Sequence, residues 1–502
     1  MVSQPDAGKS SEMRERVKWL LWLGFGILTA FSLWQLETER ATVTERVVAT
    51  TEGPVSLYRG RNGASGPLVV VTHGFAGSRQ MMQYISRDLA RAGFSVAAFD
   101  FYGHGRNPER LSRDVTRIEG TTMQLVAQTN AVMNALKADV EIDGAKALLG
   151  HSMATDIIIR AARQEPEVSA IVAISMYSEA ITPTFPENLL IISGEWEGRL
   201  RDAGKAAIAQ VAGVPVEGET VKAGNVTRRA VYTRNTEHVA VLFASATLEE
   251  TRAWIEATLG AQGGGQTTAR GFHIFALLVA LVVLTAPVAR LLPKTKSDAD
   301  TVPGRTMALA LALPIVPACL AAIFPGGSLF GSAGFGSLFW FFAVWGLVAC
   351  GVLIRAGYRF RPPDPLGIAL LLFWALGVFA VALDRYAAAF LPTGPRFALM
   401  LALFFATLPF MLADRVVVHR APLWLRGLAR ALPVLALFGC MMLYPQDMGL
   451  LFTVLPVMVL FYLVYGTMGH FVARRLGPET AAVALAVILS WSIAASTPLF
   501  AG

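Results

Sequence analysis

Nine apolar runs, each long enough to cross a lipid bilayer, constrain this chain more than any other feature of its sequence. One run lies near the N-terminus, and eight follow one another in the second half. A buried core helix can imitate one such run but not eight in succession, so the sequence predicts nine transmembrane helices. Only 16% of the residues are charged and 54% are hydrophobic, whereas soluble proteins carry roughly a quarter charged residues. The runs are Trp19–Leu36, Phe272–Val288, Met307–Phe324, Leu338–Ile354, Leu366–Leu383, Phe397–Ala413, Ala431–Leu443 (which could begin at Leu428), Leu450–Met468 and Ala481–Phe500.

The basic residues between the runs predict how the chain crosses the membrane. With the N-terminus in the cytoplasm, 17 Lys and Arg residues fall on inside segments, while the short outside loops later in the chain carry only Arg385 and Arg396. Because cytoplasmic loops retain basic residues, we expect an integral protein of the cytoplasmic (inner) membrane with its N-terminus inside and its C-terminus outside. The net charge of +7 then needs no nucleic-acid partner. The inside residues are Lys9, Arg14, Arg16, Lys18, Arg290, Lys294, Lys296, Arg305, Arg355, Arg359, Arg361, Arg415, Arg420, Arg426, Arg430, Arg474 and Arg475.

The positions of the runs divide the chain into five segments. We expect a cytoplasmic segment at residues 1–18, a transmembrane anchor at 19–36, an extracytoplasmic (periplasmic) domain at 37–260, a flexible Gly-rich linker at 261–271 and a membrane domain with about eight helices at 272–502. The anchor is interpreted as uncleaved, because its apolar core is long and no small-x-small cleavage site follows it.

Cysteines and charges inside the apolar runs are few. All three cysteines, Cys319, Cys350 and Cys440, fall in the membrane domain, so we expect the extracytoplasmic domain to be stable without disulfides and predict no metal site. The pairs Asp384-Arg385 and Asp414-Arg415 fall at the ends of runs, where placement at the lipid headgroups is expected. The runs show no chain of buried charges of the kind that proton-coupled pumps need.

Short apolar strands alternate with helices between the first and second runs. This alternation predicts an α/β fold with a mostly parallel sheet and helices on both faces. In such sheets the functional residues collect at the carboxyl ends of the strands. The strand candidates are residues 67–76, 95–100, 169–175, 188–194 and 229–233, and the helix candidates include 81–91, 121–138 and 155–163.

The segment Ala145–Ala154 predicts a nucleophile elbow, in which a sharp turn between a strand and a helix holds a serine at its tip. An apolar strand leads into Gly-His-Ser-Met-Ala, and a helix-forming segment follows Ser152 at once. Gly150 and Ala154 lie two residues on either side of the serine, where strand and helix crowd together and a large side chain would clash. Such a pattern also occurs by chance in a Gly- and Ala-rich chain, so its neighbours have to support it.

Taken with its neighbours, the elbow makes the chain resemble the α/β-hydrolase superfamily, which includes serine esterases and lipases. The resemblance covers roughly residues 46–260, and the order serine, acid, histidine is that of the family. It implies an α/β-hydrolase fold, here fused to an all-α polytopic membrane domain. Only residues 176–187 separate two successive strands where many lipase-like relatives insert a helical cap, so we predict no cap and expect a cleft that is open or closed by the membrane domain. The matching motifs are His73-Gly74-Phe75, Asp100-x-x-Gly103-His104-Gly105, Gly150-His151-Ser152-Met153-Ala154, Gly194-Glu195-Trp196-Glu197 and His238.

The resemblance implies that Ser152 is the nucleophile and His238 its base. A serine hydroxyl is a poor nucleophile until a base takes its proton. His238 follows the last strand and precedes a long helix, which is where the family places its base; the structural alternative is a histidine at a helix start. His73 and His104 lie in glycine-adjacent turns, and His151 is expected to point away from the serine.

The triad acid has three candidates. It should orient the imidazole and stabilise its charged form. Glu197 takes the position, three residues past Gly194, at which the family usually carries Asp, and we favour it. Glu195 and Glu179 are competitors, whereas Asp100 is expected to be a structural residue at a strand end.

The oxyanion hole should consist of two backbone N–H groups, from Phe75 and Met153. Any residue supplies an N–H, so the sequence gives only the positions. The supporting loops contain His73 and Gly74 before Phe75, and Gly150, His151 and Ala154 around the nucleophile.

Two classes of function are consistent with these features. The first is a membrane-anchored serine hydrolase that cleaves or transfers acyl groups, with a small-molecule or lipid-like ester as substrate, membrane lipids as surroundings and no cofactor. The second is a transporter or membrane scaffold whose hydrolase-like domain serves as a binding module. The candidate Ser, His and acid residues favour the enzyme, while the acyl chain and the oligomeric state stay open.

Overall fold

The computed structural model describes residues 7–61, 66–140, 146–260, 267–294, 302–325 and 327–502. Residues 37–260 surround a nine-stranded sheet and are here named the sheet domain. The described residues of 272–502 are mainly helical, and this part of the chain is named the helical domain. The strands are β1 (Val43–Thr50), β2 (Gly53–Gly60), β3 (Leu68–Thr72), β4 (Ser95–Phe99), β5 (Lys146–His151), β6 (Val168–Ile174), β7 (Asn188–Gly194), β8 (Thr220–Ala223) and β9 (Val226–Thr233).

The sheet has the order β1-β2-β4-β3-β5-β6-β7-β9-β8. Its central strands, from β4 to β9, run parallel. Antiparallel pairs lie at both edges, with β1 and β2 at one and β8 at the other. Every residue of β3 is buried, as expected of a parallel strand covered on both faces. The prediction of a mostly parallel sheet is confirmed.

Helices cover both faces of the sheet, as the alternating pattern predicted. On one face Leu125, Ile157 and Ile208 belong to a single buried apolar cluster. On the other face Leu89 and Ile255 belong to a second cluster. Each buried side chain of this size stabilises the fold by about 1.5–3 kcal/mol relative to an exposed one. The helices are α2 (Gln83–Arg91), α3 (Met123–Val140), α4 (Met153–Ala162), α5 (Gly198–Ala212) and α6 (Ser245–Leu259).

The edge strands β1, β2 and β8 were not among the predicted strands. β1 is largely exposed and carries Glu45 and Arg46, so it lacks the continuous apolar run that marks the central strands. β1 and β2 form a hairpin whose turn places Gly53 at φ +114°, a conformation that favours glycine. These strands extend the sheet away from the side on which the functional residues collect.

Among the described residues nine helices are long and apolar enough to cross a membrane. They match the nine predicted runs one for one, so an integral membrane protein is plausible. The span candidates are Glu15–Arg40 within α1 (Ala7–Arg40), α7 (Gly271–Ala289), Gly304–Ile323 with α8 (Gly304–Ala312) and α9 (Ile315–Ile323), α10 (Phe335–Arg355), Pro365–Tyr386 with α11 (Pro365–Leu372) and α12 (Val381–Tyr386), α13 (Pro395–Val418), α14 (Leu423–Leu443), Gly449–Leu476 with α16 (Val454–Leu476) after the short α15 (Pro445–Met448), and α17 (Pro478–Ser496).

Two boundaries differ clearly from the predicted ones. The seventh span begins at Leu423, well before Ala431, because Arg426 and Arg430 interrupt the apolar run without interrupting the helix. The last helix ends at Ser496 rather than at Phe500, and an extended segment follows. Part of the predicted linker (residues 261–266), Lys296 and Ala145, the first residue of the predicted elbow, lie outside the described residues.

The C-terminal segment after α17 binds the sheet domain through its backbone. The Leu111 N–H donates a hydrogen bond to the Leu499 carbonyl (2.8 Å), and the Ala501 N–H donates to the Leu111 carbonyl (2.9 Å). The Leu499 N–H donates to the Gly103 carbonyl (2.9 Å). Phe500 is fully buried within an apolar cluster of the sheet domain. The end of the chain is therefore part of the interface between the two domains.

Charged side chains add to this interface. Arg106 forms an ion pair with Asp384 (2.5 Å), at the end of the fifth span. Arg396, only 2% exposed, donates to the Gly103 carbonyl (2.6 Å) and to the Thr497 carbonyl (2.6 Å). Asp384 is also mostly buried, so its charge is balanced by a protein partner at this end of the span.

All of these contacts use one end of the helical bundle. They come from the ends of the fifth and ninth spans and from the start of the sixth, which the charge pattern assigned to the outside. At the opposite end, Arg290 pairs with Glu15 (3.0 Å) and Arg475 donates to the Leu292 carbonyl (3.1 Å). The sheet domain thus lies at the end of the bundle that is poor in basic residues, and both Arg385 and Arg396 at this end bind protein groups.

Candidate active site

Ser152 lies at a sharp turn between β5 and α4, as the elbow pattern predicted. Its backbone has φ +55° and ψ −121°, outside the regions that most residues adopt, and such conformations cost of order 1–3 kcal/mol. A Cβ on Gly150 would lie 2.9 Å from the Ala154 carbonyl oxygen, which is closer than real contacts allow. The strand and the helix therefore crowd together at Gly150 in the way the sequence indicated.

A chain of hydrogen bonds joins Ser152, His238 and Glu197. Ser152 Oγ lies 2.8 Å from His238 Nε2, and His238 Nδ1 lies 2.5 Å from Glu197 Oε1. With Glu197 ionised, Nδ1 carries the imidazole proton and donates it to the carboxylate, so Nε2 is free to accept the serine proton. The structure brings the three predicted residues together in the arrangement that serine activation requires.

The competing acids bind other groups. Glu195 accepts a hydrogen bond from the Asn235 N–H (2.7 Å), and Glu179 accepts one from the Tyr177 hydroxyl (3.2 Å). Asp100 accepts from the backbone N–H groups of Arg79 (2.8 Å) and Arg106 (3.0 Å), as expected of a structural residue at a strand end. Of these carboxylates, only Glu197 has a hydrogen bond to His238.

The Glu197 carboxylate has further donors that the sequence did not reveal. Burial favours its neutral form, but the hydrogen bonds from His238, the Gly194 N–H (2.5 Å) and the Ser175 hydroxyl (2.8 Å) outweigh burial and lower its pKa. Glu197 therefore stays ionised. Ser175 immediately follows β6, and this strand-end position is the one sequence signal that could have identified it.

The loop that carries Phe75 is held by His73. The Phe101 N–H donates to His73 Nε2 (3.1 Å), so the proton is on Nδ1 and is donated to the Gly74 carbonyl (2.8 Å). A Cβ on Gly74 would lie 2.9 Å from the Ser152 Cβ, so only glycine allows the loop to approach the nucleophile this closely. Neither the Phe75 N–H nor the Met153 N–H has a hydrogen-bond partner within the described part of the chain. Both are available to a substrate oxygen.

His151 contacts the candidate base rather than the serine hydroxyl. Its Nε2 donates to the His238 carbonyl (2.8 Å), and the two rings lie 4.8 Å apart. It was expected to point away from the serine, and it does, but its role as a support for the backbone of His238 was missed. Adjacency in sequence gave no signal for this contact, which depends on the loop that follows β9.

Phe75 links the candidate site to the helical domain. Its ring stacks on Phe452, just before α16, with centroids 5.4 Å apart, and lies 6.1 Å from Phe500. Ser78, at the end of the same loop, accepts a hydrogen bond from the Ala389 N–H (2.9 Å). Residues of the helical domain therefore hold the loop with the candidate oxyanion donor in place. No local sequence pattern predicted these contacts.

A cleft of about 500 Å³ opens above Ser152 and His238. All described residues that line it belong to the sheet domain, including Arg117, Arg160 and Tyr177. The cleft is thus open rather than closed by the helical domain. Its rim includes the segment between β4 and α3.

The sheet domain is similar to proteins of a known family. Residues 67–224 match the family described as alpha/beta hydrolase fold. The sheet domain has the alpha/beta hydrolase fold. It is called the hydrolase domain from here on, and its fold supports a hydrolase. The recognition made from the sequence motifs is confirmed.

Two curated relatives are uncharacterised proteins of Mycobacterium tuberculosis, strains CDC 1551 and H37Rv. Each is 32% identical over 111 residues, which is 22% of this chain and 36% of the relative. The chain thus spans about a third of the length of these relatives.

Similar solved structures include the dienelactone hydrolase of Anabaena variabilis (18% identity, 43% of this chain and 99% of that chain, TM-score 0.34). Another is a proline iminopeptidase-related protein of Thermus thermophilus (15% identity, 44% and 99%, TM-score 0.32). A third is the thioesterase domain of the curacin biosynthetic pathway (14% identity, 42% and 99%, TM-score 0.29).

Three buried histidines of the hydrolase domain have lowered pKa values. Burial, together with the nearby His238, lowers the pKa of His151 to about 4 from its ordinary value of 6.5. Burial also lowers the pKa values of His73 and His104. Each of these imidazoles is neutral in the folded protein at neutral pH and takes up a proton more readily in the unfolded chain.

We expect acid to destabilise the hydrolase domain as these histidines become protonated on unfolding. A depressed histidine pKa contributes stability that is complete above pH 6.5 and is lost as the pH falls, by up to about 1.4 kcal/mol per pH unit for each group. For His151 the loss extends to about pH 4. The thermal unfolding temperature of the purified full-length protein, followed by tryptophan fluorescence from pH 7.5 to 4.5, measures the loss.

His151→Gln is the informative variant, because its amide can still donate to the His238 carbonyl but cannot titrate. Its unfolding temperature should fall less between pH 6.5 and 4.5 than that of the wild type. An equal fall in both proteins would contradict the neutral state assigned to His151.

Proposed function

We propose that the protein is a membrane-anchored serine hydrolase that acts on carboxylic esters. The observation that carries the proposal is the hydrogen-bonded chain from Ser152 Oγ through His238 to Glu197. A structural role would not require a serine at an unfavourable φ with its hydroxyl open to a cleft.

The first half of the reaction forms an acyl-enzyme. Ser152 Oγ attacks the ester carbonyl carbon while its proton passes to His238 Nε2, and the C=O π electrons move onto oxygen. The N–H groups of Phe75 and Met153 stabilise this oxyanion, a contribution that typically lowers the barrier by several kcal/mol. When the C–O bond to the alcohol breaks, His238 returns the proton to the departing oxygen. Glu197 stabilises the imidazolium throughout.

The second half transfers the acyl group to water. His238 takes a proton from the incoming water, the hydroxyl oxygen bonds to the acyl carbon, and Ser152 leaves with its proton restored. An alcohol in place of water would make the enzyme an acyltransferase by the same steps. The open cleft above Ser152 leaves room for either acceptor.

Lipid-like esters are the proposed substrates. The candidate site belongs to a domain docked on a bundle of apolar helices, and Val115, Ile118 and Tyr177 around the cleft expose apolar surface. A second cavity, of about 400 Å³ and mostly apolar lining, lies between the helical domain and the loop of Ala76–Ser78 that follows the oxyanion donor. Both surfaces favour a substrate with an apolar part.

The proposed location is the outer face of the cytoplasmic membrane, with the N-terminus inside. The contacts between the hydrolase domain and the end of the bundle poor in basic residues support it, since that end is the outside by the positive-inside rule. The competing proposal, a transporter or scaffold with a hydrolase-like binding module, predicts no turnover.

The kinetic test uses a matched set of substitutions in the full-length protein. We expect Ser152→Ala to lower ester hydrolysis by about 10⁴-fold or more, since it removes the nucleophile. Glu197→Gln should lower kcat strongly, because an amide does not hold the imidazole in the tautomer that accepts the serine proton. Hydrolysis of a chromogenic short-chain ester by purified protein measures both.

Glu195→Gln is the matched control, because Glu195 lies two residues from Glu197 and binds a backbone N–H instead of His238. It should leave kcat within a few-fold of the wild type. A larger loss from Glu195→Gln than from Glu197→Gln would reject the assignment of the acid, and full turnover by Ser152→Ala would reject the nucleophile.

The topology test uses single cysteines in a variant that lacks the three native ones. Lys222→Cys, on the exposed edge strand β8, should react with a membrane-impermeant thiol reagent in intact cells stripped of any outer barrier. Arg355→Cys, at the opposite end of the bundle, should react only after the cells are broken. The reverse pattern would place the hydrolase domain in the cytoplasm and contradict the proposed location.

A further inference from the structure

A cavity lined by basic side chains lies at the end of the bundle away from the hydrolase domain. It has a volume of about 610 Å³ and opens between α14 and α16, next to the end of α13. Its polar wall combines three arginines with two histidines, and no carboxylate is among the described residues that line it. The five basic side chains are Arg415, Arg426, Arg430, His419 and His470.

Arg415 is the decisive residue of this cavity. Its side chain is only 2% exposed, and its Nε has no hydrogen-bond partner among the described residues. The adjacent carboxylate, Asp414, pairs with Arg430 (3.5 Å) rather than with Arg415. Burying a guanidinium group whose hydrogen bonds are not all satisfied is costly, which points to an anion that accepts from it.

The neighbouring basic groups are held in fixed positions. Arg426 Nε donates to the Ala421 carbonyl (2.7 Å), and an Arg426 Nη lies 3.5 Å from His470 Nδ1. The Arg430 guanidinium packs over the Tyr462 ring, 4.8 Å from its centroid. Guanidinium groups fixed in this way match the oxygens of a phosphate better than freely moving lysines would.

The other wall of the cavity is apolar and faces outward. Leu435 and Leu463 line it and are 61% and 65% exposed. On α14, the stretch from Arg426 to Leu435 extends roughly 13 Å along the helix axis at 1.5 Å per residue. The cavity therefore has a cationic end near the start of α14 and an apolar end towards the middle of the bundle. A free anion would need only the first of these.

We propose that this cavity binds an anionic phospholipid, with its phosphate against Arg415, Arg426 and Arg430 and an acyl chain along Leu435 and Leu463. Basic pockets between transmembrane helices on the cytoplasmic side are suited to such headgroups. The bound phosphate supplies a hydrogen-bond acceptor for Arg415, whose Nε has none among the described residues. This site is separate from the candidate active site and does not depend on its chemistry.

The experiment measures lipid binding to the full-length protein in a detergent with an uncharged headgroup, by native mass spectrometry. The probes are dioleoylphosphatidylglycerol, dioleoylglycerol with the same chains but no phosphate, and inorganic phosphate. Phosphatidylglycerol should bind at least about tenfold more tightly than either of the others. Equal binding of dioleoylglycerol, or binding of inorganic phosphate as tight as that of the lipid, would overturn the proposal.

Variants locate the binding. Arg415→Gln and Arg430→Gln should each weaken phosphatidylglycerol binding by about tenfold or more, while Arg415→Lys should lose less. Arg355→Gln is the matched control, since it removes a positive charge from the same end of the bundle outside the cavity. Unchanged affinity in both glutamine variants would overturn the site, as would an equal loss in Arg355→Gln.

Ester hydrolysis in the same samples serves as a check of folding, because Arg415 and Arg430 lie at the end of the bundle away from Ser152. It should be unchanged by either substitution. If Arg415→Gln does not fold, Arg430→Gln alone decides the result, because the Arg430 side chain is partly exposed and its replacement disturbs the fold less.

Discussion

The backbone conformation of Ser152 is the constraint on which the candidate site depends. The serine is held at φ +55° between the end of β5 and the start of α4, and this turn exists only because Gly150 and Gly74 leave room for it. The geometry aims the hydroxyl at His238 and leaves the Met153 N–H free at the first turn of a helix, where backbone donors lack intrahelical partners. The strained turn thereby positions both the candidate nucleophile and one of the two candidate oxyanion donors.

The helical domain does more than anchor this site. Its residues Phe452 and Phe500 pack on Phe75, and its buried Arg396 binds the Gly103 carbonyl. The loop with the second candidate oxyanion donor, Phe75, is therefore contacted from outside the hydrolase domain. Buried polar contacts such as these are costly to break, so they stabilise the packing of the two domains next to the candidate active site.

The sequence was sufficient for the fold and for the residues that local patterns mark. The apolar central strands, the nine apolar runs and the Gly-x-Ser-x-Ala turn each have a short-range signal, and the structure agrees with them. Contacts between distant segments have no such signal. The support of His238 by His151, the donation of Ser175 to Glu197, and the burial of Arg415 and Asp384 depend on tertiary packing, which no local pattern encodes. The edge strand β1 was missed because its residues are largely exposed and include charged ones, so it lacks the apolar run that marks a central strand.

Covalent labelling of the serine hydroxyl tests directly whether Ser152 is an activated nucleophile. Isolated membranes would be treated with a fluorophosphonate, and the protein would be digested and mapped by mass spectrometry. We expect one phosphonyl adduct, on the peptide that contains Ser152, and none when His238→Gln removes the base. Absence of an adduct from the folded wild-type protein, or an adduct on a different serine, would contradict it.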